Sequence, residues 1–278
     1  VLAGASYAPG ANTVTHDFEN NGTTTLATTT MRVSGSWVNN ATTTVGTSLV
    51  LFTATSTTES LSGSSTLNFY NVTFGESSGS ATWNIPKTLD ADGTLTVDYG
   101  TFARATSSVN IGDDFSIGAG GLFSGLGTTT FDGSGISNWT DASATSTDIG
   151  YVVVDGTSKT VTVGSNVRAK TIYIGADDIL RGGTLNTLYV GGDFTNTNSF
   201  VADSSNVTLT STSSAVITAN SSSFYDLSFT GVGGNWSFID ANTTVSNDFT
   251  IATGTVTLST GTTTIGGSFT NATGTFVH

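Results

Sequence analysis

Residues Asp248 to Phe269 read DFTIATGTVTLSTGTTTIGGSF, in which short apolar clusters are separated by Gly, Thr and Ser. The same 22-residue frame occurs without a gap 154 residues earlier, at Thr94 to Phe115, as TLTVDYGTFARATSSVNIGDDF with seven identical positions. Half of 154 is 77, and apolar residues stand at successive steps of 77: Phe18, Leu95, Ile172 and Phe249. This regularity indicates a repeat array.

The composition predicts an all-β chain. Charged residues make up 10% of the 278 positions, against about 25% in an ordinary globular domain. Thr and the β-branched and aromatic residues favour strands, and no run of Ala, Leu, Glu and Lys is long enough for a useful helix. Apolar residues recur at regular short spacing, which argues against disorder.

Charge and cysteine content restrict the partners. Twenty acidic residues face seven basic ones, for a net charge of −13, which repels nucleic acid and anionic membrane surfaces. Cysteine is absent, which excludes disulfides and thiolate metal sites. No apolar run is long enough to span a membrane, so we expect no membrane insertion. We expect a secreted or cell-surface protein whose secretion signal, if it had one, was removed before Val1.

The repeat subdivides into modules and coils. Aromatic anchors such as GGDFTN (Gly191–Asn196) and GGSFTN (Gly266–Asn271) recur about every 77 residues. Self-similarity of this kind predicts three modules of about 77 residues each and a partial fourth. In the last module similar triplets begin at steps of 20, 18, 18 and 20, at Tyr189, Leu209, Leu227, Val245 and Ile265. We therefore expect coils of about nineteen residues, about four to a module. Residues 1–12 are predicted to be an irregular segment and a candidate contact to another subunit, and residues 13–278 one continuous solenoid.

Strands of three to five residues are too short for an immunoglobulin-like sandwich. They fit a parallel β-solenoid, a right-handed β-helix in which each strand pairs with the same strand of the coils above and below. About 14 to 15 coils at the usual strand spacing would form a rod of about 70 Å.

The phrases GGSFTNATGTF, FYDLSFTGVGGNWSF and NDFTIATGTVTLSTGTTTIGG resemble the tandem repeats of bacterial cell-surface β-solenoid proteins, the haemagglutinin-like and adhesin-like exported class. The resemblance covers the chain from Thr13 onward. It implies export, an extended shape and a role in adhesion or surface fibres. It supplies no catalytic residues.

Candidate chemistry is sparse. Carboxylates lie close together at Asp113 and Asp114, at Asp90 and Asp92, and at Asp177 and Asp178, the last pair near Arg181. Polysaccharide-cleaving β-helix enzymes use clustered Asp with a basic residue or calcium. Adjacent residues of a strand point to opposite faces, however, so solvated corners are the favoured interpretation.

His16 and His278 are the only histidines, with no partners for zinc or a catalytic triad, so we expect surface residues and no metal, cofactor or catalytic site. Nine Asn-x-Ser/Thr sequons would each accept a glycan on an exposed corner, and about seven are expected by chance in this composition. They are at Asn21, Asn40, Asn71, Asn138, Asn206, Asn220, Asn235, Asn242 and Asn271.

Two further patterns have a structural and a functional interpretation. Thr triplets resemble the flat Thr grid of ice-binding solenoids, but that grid needs Thr in every successive coil and these triplets skip coils. Surface Thr that simply favours strands is therefore the preferred interpretation. The triplets lie at 23–25, 28–30, 42–44, 128–130 and 262–264. The anchor aromatics, and Trp236, could stack on sugars at the surface, but stacked ladders inside the core are the preferred interpretation. The anchors are Trp37, Phe115, Phe194 and Phe269.

No polar cap or amphipathic helix is readable at either end of the repeat, which favours end-to-end contact with identical subunits. The leading hypothesis is a non-enzymatic extracellular structural protein, the subunit of a filament or surface fibre formed by head-to-tail stacking. The alternative is a monomeric adhesin stalk or carbohydrate-binding surface protein with environmental or cell-surface glycans as partners. A polysaccharide-degrading β-helix enzyme is third.

Overall fold

The computed structural model describes all 278 residues, Val1–His278, and contains 36 β-strands and no helix. The chain forms two compact units, and the strands within each unit pair in parallel. The strands stack as a β-solenoid of about 14 turns in all. The predicted all-β parallel solenoid is therefore confirmed. The first unit comprises residues 1–133 and 141–149, and the second residues 134–140 and 150–278.

The first unit contains seventeen strands of two to ten residues. They are β1 (Ser6–Tyr7), β2 (Asn12–Thr15), β3 (Phe18–Asn20), β4 (Thr23–Thr25), β5 (Thr30–Val33), β6 (Trp37–Asn39), β7 (Thr42–Thr44), β8 (Leu49–Phe52), β9 (Thr58–Ser62), β10 (Leu67–Phe69), β11 (Asn71–Phe74), β12 (Thr82–Asn84), β13 (Leu89–Ala91), β14 (Leu95–Ala103), β15 (Val109–Ile111), β16 (Phe115–Ser124) and β17 (Thr128–Phe131). β1 lies within residues 1–12 and pairs with β4.

Four ladders run through the first unit. β2, β5, β8, β11, β14 and β16 pair in that order, as do β10, β13, β15 and β17. β1, β4 and β7 form a third ladder, and β3, β6, β9 and β12 a fourth that joins the second half of β14. Successive turns of this unit thus stack strand on strand along each side of the coil.

The second unit contains the remaining strands. They are β18 (Ser134–Asp141), β19 (Tyr151–Val154), β20 (Thr157–Val163), β21 (Val167–Ala169), β22 (Thr171–Ile174), β23 (Ile179–Arg181), β24 (Thr184–Val190), β25 (Phe194–Asn196), β26 (Ser199–Val201), β27 (Ser204–Leu209), β28 (Ser214–Thr218), β29 (Asp226–Phe229), β30 (Asn235–Phe238), β31 (Thr243–Val245), β32 (Phe249–Ile251), β33 (Thr255–Thr257), β34 (Thr263–Ile265), β35 (Phe269–Asn271) and β36 (Thr275–Val277).

The second unit has the same construction. Its ladders are β18–β20–β23–β26, β19–β22–β25–β28–β30–β33–β36, β21–β24–β27–β29–β32–β35 and β31–β34. Alternation along each strand places one set of side chains inside the coil and the other outside. Every second residue of these strands is therefore available to a partner or to solvent.

Stacked apolar side chains fill the interior of each unit. In the first, Phe52 and Phe74 occupy paired positions in adjacent turns, and their rings stack with centroids 4.8 Å apart and planes 8° apart. In the second, the ring of Phe229 contacts that of Phe249 in the next turn, with centroids 5.5 Å apart, although the register partner of Phe249 is Leu227. Parallel pairing in register brings like residues together, so a repeat in sequence becomes a ladder in the core.

Asparagine and aspartate at the corners hold successive turns in register. The side-chain oxygen of each accepts a hydrogen bond, 2.8–3.0 Å long, from a backbone N–H of the next turn. Three such corners lie in the first unit, at Asp17, Asn40 and Asn71, and five in the second, at Asn166, Asp193, Asp226, Asn242 and Asp248. Four of the twenty acidic residues thus have a structural role at these corners.

The turns differ in length. Ser6 pairs with Thr23 in one turn, whereas Trp37 pairs with Leu61 in another, longer one. In the second unit Ile172, Phe194, Ile217 and Phe238 occupy successive rungs of one ladder. The sequence repeat of Ile172 is Phe249, which lies past that rung and in a different sheet. The period of the sequence is therefore not a whole number of turns in this unit.

Candidate functional site

The anchor aromatics belong to the core. Trp37, Phe115 and Phe194 are fully buried, as is Trp236, which confirms the core-ladder interpretation for these positions. A sugar-stacking role for Trp37 or Trp236 is therefore wrong, because neither ring reaches the surface. Phe269 is different: it is 46% exposed, since its strand β35 pairs only with β32.

The Asp177, Asp178 and Arg181 constellation does not assemble as an acid–base site. The Asp178 side chain is buried, and its carboxylate accepts hydrogen bonds from the backbone N–H groups of Lys159 at 2.7 Å and Gly156 at 3.1 Å. Arg181 instead forms an ion pair with Asp203, at 2.6 Å. The expectation of a solvated corner holds for the exposed Asp177 and is wrong for Asp178.

Burial raises the pKa of the Asp178 carboxyl, the two backbone N–H donors act in the opposite direction, and the neighbouring Asp177 and Asp155 raise the pKa further. A carboxylate held by two backbone donors inside a corner fixes the chain path there. It has no open face toward a substrate, so its raised pKa has a structural cause.

The other carboxylate pairs lie on the outside of the first unit. Asp113 is exposed and Asp114 is half-buried at the start of β16. Asp90 points outward from β13, and Asp92 follows that strand in an exposed position. Burial, followed by the charges of Asp132 and Asp92, raises the pKa of Asp90.

His16 and His278 are exposed as expected, and no three His, Asp or Glu side chains lie close enough together to hold a metal ion. Six of the nine sequon asparagines are exposed, and Asn21, Asn71 and Asn206 are half-buried. At Asn71 the side-chain oxygen accepts the backbone N–H of Thr94, at 2.8 Å. Glycosylation of any of the nine remains a prediction.

The Thr triplets are distributed over several sheets. Thr23–Thr25 and Thr42–Thr44 form β4 and β7, which pair in register and expose the first and third Thr of each strand. The triplet at 128–130 lies in β17, where Thr129 is buried and donates its hydroxyl to the Ile149 carbonyl at 2.8 Å. The exposed Thr grid therefore covers two adjacent turns in the first unit.

Three buried polar residues were not singled out from sequence. Arg104 is fully buried and donates to the carbonyls of Gly127, Thr128 and Ile149. Lys159 and Ser137 are also fully buried, and the Lys159 ammonium donates to the Ser137 hydroxyl. A solvent-closed Lys–Ser contact offers no path for a substrate, so this contact is structural.

The second unit carries an exposed aromatic face on the ladder that begins β19–β22–β25–β28. Outward side chains on it include Tyr151 and Tyr173, which are 44% and 40% exposed. A sequence signal for both exists: in YVVV and TIYI each Tyr occupies a position alternate to buried residues. We call this surface, defined by Tyr151, Val153, Thr171, Tyr173, Asp193, Thr195 and Val216, the tyrosine face.

Comparisons with protein-family models, curated proteins and solved structures found no match to this chain. The structure contains no helix with the length and apolar character needed to span a bilayer. The resemblance to bacterial surface repeat proteins therefore remains a prediction from the repeat sequence.

Proposed function

We propose that this chain is a non-enzymatic structural protein, secreted to the cell surface or beyond, whose copies stack head to tail into a filament or surface fibre. The observation that supports stacking is the outer edge of the turn formed by β34, β35 and β36. Each of these strands pairs with one neighbour only, β31, β32 and β33 respectively.

Backbone and side chains at this edge are suited to another parallel turn. A strand paired on one side exposes a row of N–H and C=O groups on the other, a template for a further strand. Phe269 and Val277 are 46% and 45% exposed there, although Phe269 lies over Phe249 at 5.5 Å as core aromatics do. Burial of such apolar area stabilises the contact by about 25 cal/mol per Å².

The complementary surface in the next copy is the turn of β1, β2 and β3, whose strands also pair on one side only, with β4, β5 and β6. The two edges differ from each other, so the contact is heterologous. Heterologous contacts that do not close into a ring generate filaments.

Electron microscopy of the purified 278-residue chain tests the proposal. We expect filaments that lengthen with concentration. Phe269→Asp and Val277→Asp should abolish them, because each places a charge between the stacked edges. Val232→Asp is the matched control: Val232 is an exposed apolar residue of the same unit outside this edge. Monomers at all concentrations, or filaments unaffected by the edge variants, would refute stacking.

The enzyme alternative has its own test. If the chain cleaved polysaccharides with Asp178, the isosteric Asp178→Asn variant would lose that activity. We expect no reducing-end release from plant or microbial polysaccharides by either protein, because the Asp178 carboxylate is buried and bonded to the backbone N–H groups of Lys159 and Gly156. Release that depends on Asp178 would favour the enzyme.

A further inference from the structure

We propose that the tyrosine face of the second unit is a binding surface for neutral polysaccharides. The inference is independent of end-to-end stacking, because it concerns the side of the coil. It also relocates carbohydrate contact from the buried tryptophans to exposed tyrosines.

Strand geometry sets the composition of the face. Val152 and Val154 of β19 and Ile172 and Ile174 of β22 are buried, so the residues between them point outward. Tyr151 pairs with Thr171, and Val153 pairs with Tyr173. Tyr173 in turn pairs with Thr195 of β25. The two tyrosines thus lie diagonally on adjacent turns, each flanked by a threonine.

Neither tyrosine makes a ring contact or a phenol hydrogen bond within the chain. Elsewhere in the unit Tyr189 is half-buried, with the guanidinium of Arg168 4.6 Å from its ring centroid. Val216 is 41% exposed on the same face, so the face combines two exposed rings with an exposed aliphatic side chain.

The chemistry of the face selects its partner. Flat aromatic rings offer apolar area with a polar tip at low entropic cost, which matches the C–H faces and hydroxyls of a sugar ring. Thr171 and Thr195 supply further hydroxyls. The face contains one charged side chain, the Asp193 carboxylate, whose Oδ1 accepts the Val216 N–H at 2.8 Å.

Like-charge repulsion disfavours acidic polymers on this face. Asp193 is negative, the face contains no Lys or Arg, and the chain carries a net charge of −13. An acidic polysaccharide would meet repulsion without a compensating cation. An uncharged glycan chain avoids that repulsion and can use both the rings and the hydroxyls.

Native gel electrophoresis through gels that contain immobilised polysaccharide tests the proposal. The negatively charged chain migrates toward the anode, and binding to the polymer slows that migration. We expect hydroxyethylcellulose or xylan to retard the wild type, and alginate and polygalacturonate to leave its mobility unchanged. Tyr151→Ala combined with Tyr173→Ala should weaken the neutral-polymer affinity at least tenfold. The corresponding Tyr→Phe pair keeps the rings and should retain most of it. Tyr189→Ala, on another sheet of the same unit, is the matched control.

Three results would overturn the proposal: no retardation by either neutral polymer, equal retardation of the wild type and the double Ala variant, or equal retardation by anionic polymer. A second copy of the chain is the other candidate partner for this face. Sedimentation of the wild type and the double Ala variant without polymer tests it, because loss of self-association in the variant would show that the face binds another copy. A change in association state with no polysaccharide binding would make the face a self-interface and refute glycan recognition.

Discussion

The guanidinium carbon of the fully buried Arg104 lies 4.7 Å from the ring centroid of Phe123. Its N–H groups reach the carbonyls of Gly127 at 2.6 Å and Thr128 at 2.7 Å, and a third bond goes to Ile149. Gly127 and Ile149 belong to later parts of the chain, so one side chain connects successive turns. Burial lowers the pKa of Arg104 to about 10, against the opposing effect of Asp148, which leaves it charged at neutral pH.

Replacing Arg104 should therefore destabilise the fold. Arg104→Met keeps much of the volume but removes the donor to three carbonyls and the cation–π contact. We expect a loss of about 2–4 kcal/mol in the free energy of unfolding, measured by urea denaturation. Arg168→Met removes the half-exposed cation–π pair with Tyr189 and should cost less than about 1 kcal/mol. Equal losses would contradict the assigned role of Arg104.

The ionised Asp90 carboxylate should lower the free energy of unfolding at neutral pH. Its pKa is raised in the folded state, so between its unfolded and folded pKa values the native chain binds more protons, and stability falls as the pH rises through that window. Asp90→Asn removes the charge, and Asn suits a ladder in which Asp90 pairs with Asn68 and Asn110.

The variant Asp90→Asn should gain a few tenths to about 1 kcal/mol at pH 7, a screened value for a partly exposed group. The gain should disappear at pH 3, where the wild-type carboxyl is protonated. Thermal melts at the two pH values measure it. The exposed Asp92 gives the control variant Asp92→Asn, which should gain less. A pH-independent gain would rule out the electrostatic cause.

The corner hydrogen bonds should be measurable one at a time. Asp226 Oδ1 accepts from the Asn247 side chain at 2.8 Å and from the Asp248 N–H at 3.0 Å. We expect Asp226→Ala to cost about 1–2 kcal/mol, because both donors lose their partner. Asp226→Asn keeps the oxygen and should cost much less. Amide hydrogen exchange of Asp248 should accelerate in the Ala variant only, and unchanged exchange would contradict the corner bond.

Trp236 should contribute to the free energy of unfolding and not to ligand binding. Its ring is fully buried against Phe229, with centroids 5.1 Å apart, so Trp236→Ala should cost about 3–5 kcal/mol. The buried indole N–H has no acceptor, so Trp236→Phe, which removes it, should cost far less than Ala. Denaturant unfolding measures both. Loss of polysaccharide binding by a folded Trp236→Phe protein would contradict this assignment.

Local patterns predicted much of the core. Alternation along three-residue strands marks inward positions, and the anchor aromatics Phe115, Phe194 and Trp37 are all buried as the core interpretation required. The same rule applied to YVVV and TIYI would have identified Tyr151 and Tyr173 as outward residues. Asp178 could not be placed from sequence, because its burial depends on the backbone N–H groups of Lys159 and Gly156 in the preceding turn.

The sequence by itself determined an all-β parallel solenoid, because strand length, side-chain alternation and corner residues are local properties that every repeat copies. Only the tertiary structure decided which residues meet between turns. Turn length varies along the chain, as the pairs Ser6 with Thr23 and Trp37 with Leu61 show, so a fixed sequence step does not identify which residues pair. That register brings Arg104 to the carbonyls of later turns and places Tyr151 and Tyr173 on one face.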